Sequence, residues 1–269
     1  MTKAMLIDVS KCTACRACQV ACKAWNDLPG EVTVCLGCYD NPPDLSPDTW
    51  NRIAFWEIEQ NGKLAWVFRP VRCMHCTDAS CVSVCPTGAA AYHGEFVVID
   101  PQVCIGCGYC VVACPFDVPR PGHGAGKGSA RKCRFCIDRV TNGQKPACAK
   151  ACPTGAIEFG DRGALIARGR DRIAVLKGKG FADANFYGEN LLGGLHQMYV
   201  LTDKPSVFEL PAAPRVATRN VLGSWLSGII TAGVVAALPF WLLFKRKEEL
   251  AVKEELAVKE EEVSEGGEQ

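Results

Sequence analysis

The sequence has almost no net charge: 30 Lys and Arg residues stand against 29 Asp and Glu, a formal +1 at pH 7. Part of that balance is local. Lys245 to Gln269 carry five basic and nine acidic residues, which leaves the rest of the chain at +5. An excess that small gives no support for a nucleic-acid partner. The polar bias of a disordered chain is also missing, since 48% of the residues are hydrophobic and a core can form. The N-terminus "MTKAMLIDVSKC" lacks the charged, apolar and small-residue segments of a secretory signal. The chain is therefore expected to fold first in the reducing cytosol, with its thiols available as metal ligands. A phosphate-binding loop is absent too. "GHGAGKGS", Gly122 to Ser129, fails because Lys127 precedes Gly128 where Ser or Thr is needed, and no strand leads into it. It reads as a flexible connector.

What the chain has in quantity is cysteine, 18 residues. Sixteen of them fall into four groups: Cys12, Cys15, Cys18, Cys22; then Cys73, Cys76, Cys81, Cys85; then Cys104, Cys107, Cys110, Cys114; and last Cys133, Cys136, Cys148, Cys152. The first and third groups share the spacing C-x2-C-x2-C-x3-C, and Pro86, Pro115 and Pro153 each follow the last cysteine of a group. This is an internal repeat. Cube-shaped 4Fe-4S clusters need four thiolates; the short loop wraps three of them, and the fourth cysteine reaches the other cluster of a pair. Zinc sites use two C-x2-C pairs and have no need of a third cysteine followed by x3-C-P. Disulfides at three-residue spacings would be strained. Four complete groups thus predict four clusters with no iron left open for substrate, an arrangement suited to passing single electrons.

Cys35 and Cys38, in "VCLGC", stand outside the groups. Two thiols cannot complete a cluster or a zinc site by themselves. They are read as free thiols, as a local disulfide, or as ligands of zinc or of a cluster completed elsewhere. His75, between Cys73 and Cys76, reads as a structural residue or as support for the ligands.

Around the groups, "FVVID" and "GAIEF" are strand-like runs, and "CVVAC" and "CAKAC" place cysteines four apart on one face of a helical turn. "AFWEIEQNGKLAWVF" predicts a hairpin turning at Asn61-Gly62, with Trp50, Trp56 and Trp66 as core or partner-facing aromatics. Gly163 to Gly180 predicts a helix with a basic face, solvated or a docking surface. Asn220 to Phe244 are 25 consecutive uncharged residues. As a helix they reach roughly 35 Å, enough to cross a membrane, with Trp225 and Trp241 near the interfaces. Lys245 to Lys247 beyond that segment, against Arg215 and Arg219 before it, predict a cytoplasmic C-terminus and an extracytoplasmic, periplasmic cysteine domain. The acidic tail, with its repeated "EELAVK", is expected to fray.

The stretches "YDNPPDLSPDTW", "CMHC", "CIGCGYCVVACPFDVPR", "CIDRV", "PACAKACPTGAIEFG" and "HQMYVL" resemble the four-cluster ferredoxin-like subunits of membrane-bound molybdenum or tungsten oxidoreductases, above all the iron–sulfur β subunit of respiratory formate dehydrogenase. That resemblance implies an α+β fold of two ferredoxin-like subdomains, one nested within the other in sequence, plus one C-terminal transmembrane helix. It implies that Cys12, Cys15, Cys18 and Cys152 hold one cluster, and Cys133, Cys136, Cys148 and Cys22 its mate. Cys73, Cys76, Cys81 and Cys114 would hold the third; Cys104, Cys107, Cys110 and Cys85 the fourth. Residues 1–160 would be the cluster domain, 161–219 a docking and linker region, 220–244 the membrane helix and 245–269 a charged tail. The implied partners are a molybdopterin catalytic subunit and a cytochrome b that reduces quinone; the chain itself would relay electrons and catalyse nothing. The same relay could serve a hydrogenase or a molybdopterin enzyme acting on sulfur compounds or sulfoxides.

Overall fold

The computed structural model describes residues 2–34, 37, 39–60, 62–123, 128–219 and 221–265. Its elements in chain order are β1 (Lys3–Asp8), α1 (Ala17–Trp25), β2 (Arg52–Gln60), β3 (Lys63–Val71), α2 (Ser80–Ser83), β4 (Ala90–His93), β5 (Phe96–Ile99), α3 (Tyr109–Ala113), α4 (Ile137–Thr141), α5 (Ala147–Lys150), β6 (Ile157–Asp161), α6 (Arg162–Gly178), β7 (Asn185–Tyr187), β8 (Gln197–Leu201) and α7 (Val221–Glu265). Residues 1–218 form one compact unit and 219–269 a second.

The first unit is organised by a four-stranded sheet in the order β6-β1-β8-β7. Strand β1 runs antiparallel to β6, with Ile7 opposite Ile157, and parallel to β8, with Met5 opposite Gln197. Successive side chains of a strand point to opposite faces, and both faces here are covered. Met5, Ile7, Tyr199 and Leu201 pack toward the cysteine loops, together with Phe96, Phe135 and Cys148. Ala4, Leu6, Met198 and Val200 pack against Leu165 and Leu176 of α6. The region 161–219 therefore does more than link: it supplies α6, β7 and β8, and β8 is buried along its whole length.

Helix α6 begins where Asp161 caps it by accepting a hydrogen bond from the Ala164 N–H, 3.2 Å. Its basic face is engaged within the domain. Arg168 pairs with Glu158, Arg170 with Glu189, and Arg172 Nε donates to the buried Asp8 carboxylate at 2.7 Å. Gly169 lies against the Phe186 ring, where a Cβ would come within 2.6 Å of a ring carbon, so this position of the helix must be glycine for the sheet to approach.

The hairpin of β2 and β3 pairs Gln60 with Lys63, which leaves a two-residue loop at Asn61-Gly62; Asn61 lies outside the described residues and Gly62 has φ +71°. Trp50 is buried, Trp56 packs on Phe208 at a ring distance of 5.8 Å, and Trp66 is 45% exposed beside Tyr39. The connector at Gly122 to Ser129 is closed at its base by Gly122 N–H donating to the Gly128 carbonyl, 3.0 Å; residues 124–127 lie outside the described residues.

In the second unit α7 contains one stretch, Trp225–Lys247, long and apolar enough to cross a membrane, with mean hydropathy 2.0 and none of its surface buried. This is consistent with a single-pass membrane anchor. The helix continues to Glu265. The tail expected to fray is composed almost wholly of Ala, Leu, Glu and Lys, among the strongest helix formers, with Val as the main exception.

Candidate metal centres

Each cysteine group sits in a loop that leads into a short helix, and the loops share a backbone device. The residue before the second cysteine is left-handed in all four: Ala14 (φ 54°), His75 (φ 47°), Gly106 (φ 68°) and Phe135 (φ 59°). In the first and third groups the residue after it, Arg16 or Gly108, is left-handed too. Non-glycine residues adopt this conformation at a cost, so the surrounding structure must hold them there. The turn coils the chain around its own sulfurs. His75 N–H donates to Cys73 Sγ and Phe135 N–H to Cys133 Sγ, each at 3.4 Å. Further N–H groups reach sulfur from outside the loops: Ala90 to Cys85 at 3.3 Å and Ala130 to Cys104 at 3.4 Å.

The fold gathers the thiols across the groups. Cys12, Cys15, Cys18 and Cys152 line one hollow, and Cys22, Cys133, Cys136 and Cys148 line another. Packing of α1 against α5 brings the first and last groups together. Cys76 lies within electrostatic reach of Cys73, Cys81 and Cys114, and Cys110 of Cys104, Cys107 and Cys85. The sixteen sulfurs thus fall into four neighbouring quartets. They lie within electrostatic reach of one another in series. Cys18 reaches Cys148, Cys133 reaches Cys73, and Cys81 reaches Cys110. The first and fourth quartets each contain one exposed cysteine, Cys15 and Cys107, whereas the inner two contain none. The row thus has an exposed thiol in each terminal quartet, and buried or half-buried ones between.

The donor set fits a polynuclear cluster better than a single ion. All sixteen grouped cysteines are free thiols. Among the described residues no three Cys, His, Asp or Glu side chains converge tightly enough to hold one metal ion, yet four sulfurs surround each hollow in the first two quartets. Four thiols around one hollow suit a cube with iron at alternate corners. The guanidinium of Arg72, 1% exposed, lines the second hollow, and its Nη1 has no protein partner. A buried donor without a partner is costly, and an anionic group in the hollow would satisfy it.

As free thiols these cysteines resist ionisation. Burial pushes Cys133 and Cys81 up to about 12, and Cys18, Cys110 and Cys136 up to about 11. Iron must therefore displace a proton from most of them, which couples cluster insertion to folding. His75 is fully buried; burial, with Lys132 nearby, holds its imidazole neutral far below its ordinary range. Its Nδ1 accepts from the Val97 N–H at 3.2 Å, and its ring meets Phe135 edge-on at 4.9 Å. The histidine is a packing element where the second and third quartets meet. Cys35 and Cys38 lie outside the described residues.

Two family models, each described as a 4Fe-4S dicluster domain, match residues 11–89 and 64–162. Over 239 residues the sequence is 45% identical to the nitrate-inducible formate dehydrogenase iron–sulfur subunit of Escherichia coli K12, covering 87% of this protein and 81% of that relative. The protein belongs to the iron–sulfur subunits of formate dehydrogenase. The formate dehydrogenase-O iron–sulfur subunit of the same organism is 45% identical over 219 residues, 80% of this protein and 72% of the relative. The B subunit of the anaerobic dimethyl sulfoxide reductase of Haemophilus influenzae is 39% identical over 153 residues, 56% of this protein and 70% of the relative. Two dicluster domains make four 4Fe-4S clusters, which the sixteen described cysteines match at four apiece. An iron–sulfur subunit of this family carries electrons and leaves the chemistry on substrate to another subunit.

The two most deeply buried cations, Arg72 and Lys132, 1% and 3% exposed, were not singled out in the sequence. A signal exists, because each immediately precedes the first cysteine of its group. Lys11 precedes Cys12 in the same way but is a surface residue paired with Glu158 and Asp8, so the pattern by itself does not separate buried from exposed.

Proposed function

We propose that this subunit relays electrons from a molybdenum or tungsten formate dehydrogenase catalytic subunit, through four 4Fe-4S clusters in series, to a membrane cytochrome b that reduces quinone. The proposed ligand sets are the four quartets above, in the order Cys12/15/18/152, Cys22/133/136/148, Cys73/76/81/114, Cys85/104/107/110. The observation that carries the proposal is the serial arrangement of the quartets, each within electrostatic reach of the next, with an exposed thiol among the sixteen described cysteines only at each end. A relay needs closely spaced centres inside and accessible ones at its termini. The first quartet is the proposed entry and the fourth the exit. Support for that direction comes from Ala217, shortly before the apolar helix in sequence, whose N–H donates to Ser80 Oγ at 3.1 Å, beside Cys81 of the third quartet, the neighbour of the fourth.

The helix at Trp225–Lys247 would anchor the subunit beside the cytochrome. Lys245, Arg246 and Lys247 at its far end favour a cytoplasmic C-terminus and a periplasmic cluster domain. The likeness to the B subunit of dimethyl sulfoxide reductase favours one second reading, the same relay attached to a sulfoxide-reducing catalytic subunit. Co-purification from the native membrane under anaerobic conditions decides between them. Formate-dependent dye reduction by a complex containing this protein and a molybdopterin subunit is expected. A complex that turns over sulfoxides and not formate would overturn the first reading.

A further inference from the structure

Burying a charge without a counter-charge is among the costliest things a fold can do. Among the described residues, neither Arg72 nor Lys132 makes an ion pair with a carboxylate. Arg72 Nε donates to Gln197 Oε1 at 2.5 Å, and one terminal nitrogen meets only the Met5 sulfur at 4.0 Å. Lys132 Nζ donates to two carbonyls, of Val97 at 2.5 Å and of Cys133 at 3.1 Å. What surrounds both is sulfur. Arg72 lines the second hollow and lies within reach of Cys12 and Cys18 of the first quartet and of Cys22, Cys133 and Cys148 of the second. Lys132 lies within reach of Cys133 of the second quartet and of Cys73, Cys76, Cys81 and Cys114 of the third. Each cation sits at a junction between two neighbouring quartets. Among the described residues, the largest charge effects on Cys110 of the fourth quartet come from Cys104, Cys107 and Cys85, with no buried cation among them. Arg139 also reaches Cys136, but Asp138 opposes it there.

We propose that Arg72 and Lys132 are positioning residues that set the reduction potentials along the relay, Arg72 raising those of the first and second clusters and Lys132 those of the second and third. The inference rests on the ligand sets proposed above. A thiolate-ligated cluster is net negative and more so when reduced, so a fixed cation beside it favours the reduced form. A buried guanidinium or ammonium acts through a low dielectric with little screening by salt. The second cluster, flanked by both, gains most. The fourth, which has neither, keeps a potential set by its backbone donors and its exposure.

The test uses the full-length protein purified anaerobically, with iron content measured first and each cluster then titrated by electron paramagnetic resonance at controlled potential. Wild-type iron well short of four clusters sinks the relay reading itself and is recognisable before any potential is measured. With full iron, Arg72→Gln is expected to lower two of the four potentials and Lys132→Met two, with one cluster common to both variants and one moved by neither. Arg72→Lys and Lys132→Arg, which keep the charge, are expected to hold the wild-type values. Potentials unchanged in both neutral variants, all four shifting together, or a charge-keeping variant shifting as far as its neutral partner would each overturn the proposal. If a neutral variant comes without clusters, the charge-keeping one decides. Full iron there supports the electrostatic role, and cluster loss there too shows that packing alone was at stake.

Discussion

The crossed ligand sets make a prediction that iron analysis can read without assigning a spectrum. Removing one thiolate from a four-iron cluster and replacing it with an apolar methyl leaves an iron with no protein ligand, so each affected cluster should be lost whole. Cys12 and Cys152 lie 140 residues apart in sequence, but they line the same hollow. Cys12 and Cys22 belong to one sequence group, but they line different hollows. From a wild type of about sixteen irons, the double variant Cys12→Ala/Cys152→Ala should retain about twelve, no fewer than either single variant. The double variant Cys12→Ala/Cys22→Ala should retain about eight. The first pair is non-additive because both changes strike one centre, and the second is additive because they strike two. The assay is iron and acid-labile sulfide per polypeptide on anaerobically purified protein, with far-ultraviolet circular dichroism to show that the fold survives. The opposite pattern, about eight for the first pair and about twelve for the second, would mean that each sequence group keeps its own cluster, and the reasoning from geometry would be wrong.

Three further outcomes follow from the packing. Phe135 is fully buried and stacked on Phe96 at a centroid distance of 3.9 Å, so Phe135→Ala should cost about 3–5 kcal/mol in denaturant unfolding and weaken the contact between the second and third quartets. Gly169→Ala drives a methyl into the Phe186 ring; a loss of about 1–3 kcal/mol is expected, with iron content unchanged because α6 packs on the face of the sheet away from the cysteines. A polypeptide ending at Thr218 should keep its full iron yet move from the membrane fraction to the soluble fraction on ultracentrifugation, since the compact unit ends there and the apolar span begins at Trp225.

The parts of this protein most open to reading are those in which one residue type at fixed spacing has few alternative uses. The four cysteine groups are of that kind, and so is the Asn61-Gly62 hairpin, whose pairing of Gln60 with Lys63 follows from turn chemistry. "FVVI" and "GAIEF" became β5 and β6 where strand-like composition met flanking glycine. The two central strands were harder. "KAMLID" and "QMYVL" are covered on both faces, so neither shows the alternation that marks a strand with one wet side. The basic helix was visible as basic, but that Arg168, Arg170 and Arg172 are each taken up by Glu158, Glu189 and Asp8 depends on partners ten or more positions or a whole sheet away. Arg72 and Lys132 were hidden for a related reason. Their meaning lies in what they lack, a carboxylate partner, and no pattern of neighbours along the sequence announces that.

Strand β1 is made well before both strands that flank it, β6 at Ile157 and β8 at Gln197. Throughout most of synthesis the nascent polypeptide must therefore carry its central strand unpaired, with Met5 and Ile7 waiting for neighbours. Closure of the sheet is a single late event that depends on contacts of very long sequence separation, which makes it slow and leaves sticky edges open meanwhile. The apolar span at Trp225–Lys247 follows β8, so every strand of the sheet has been synthesised before the membrane-seeking segment.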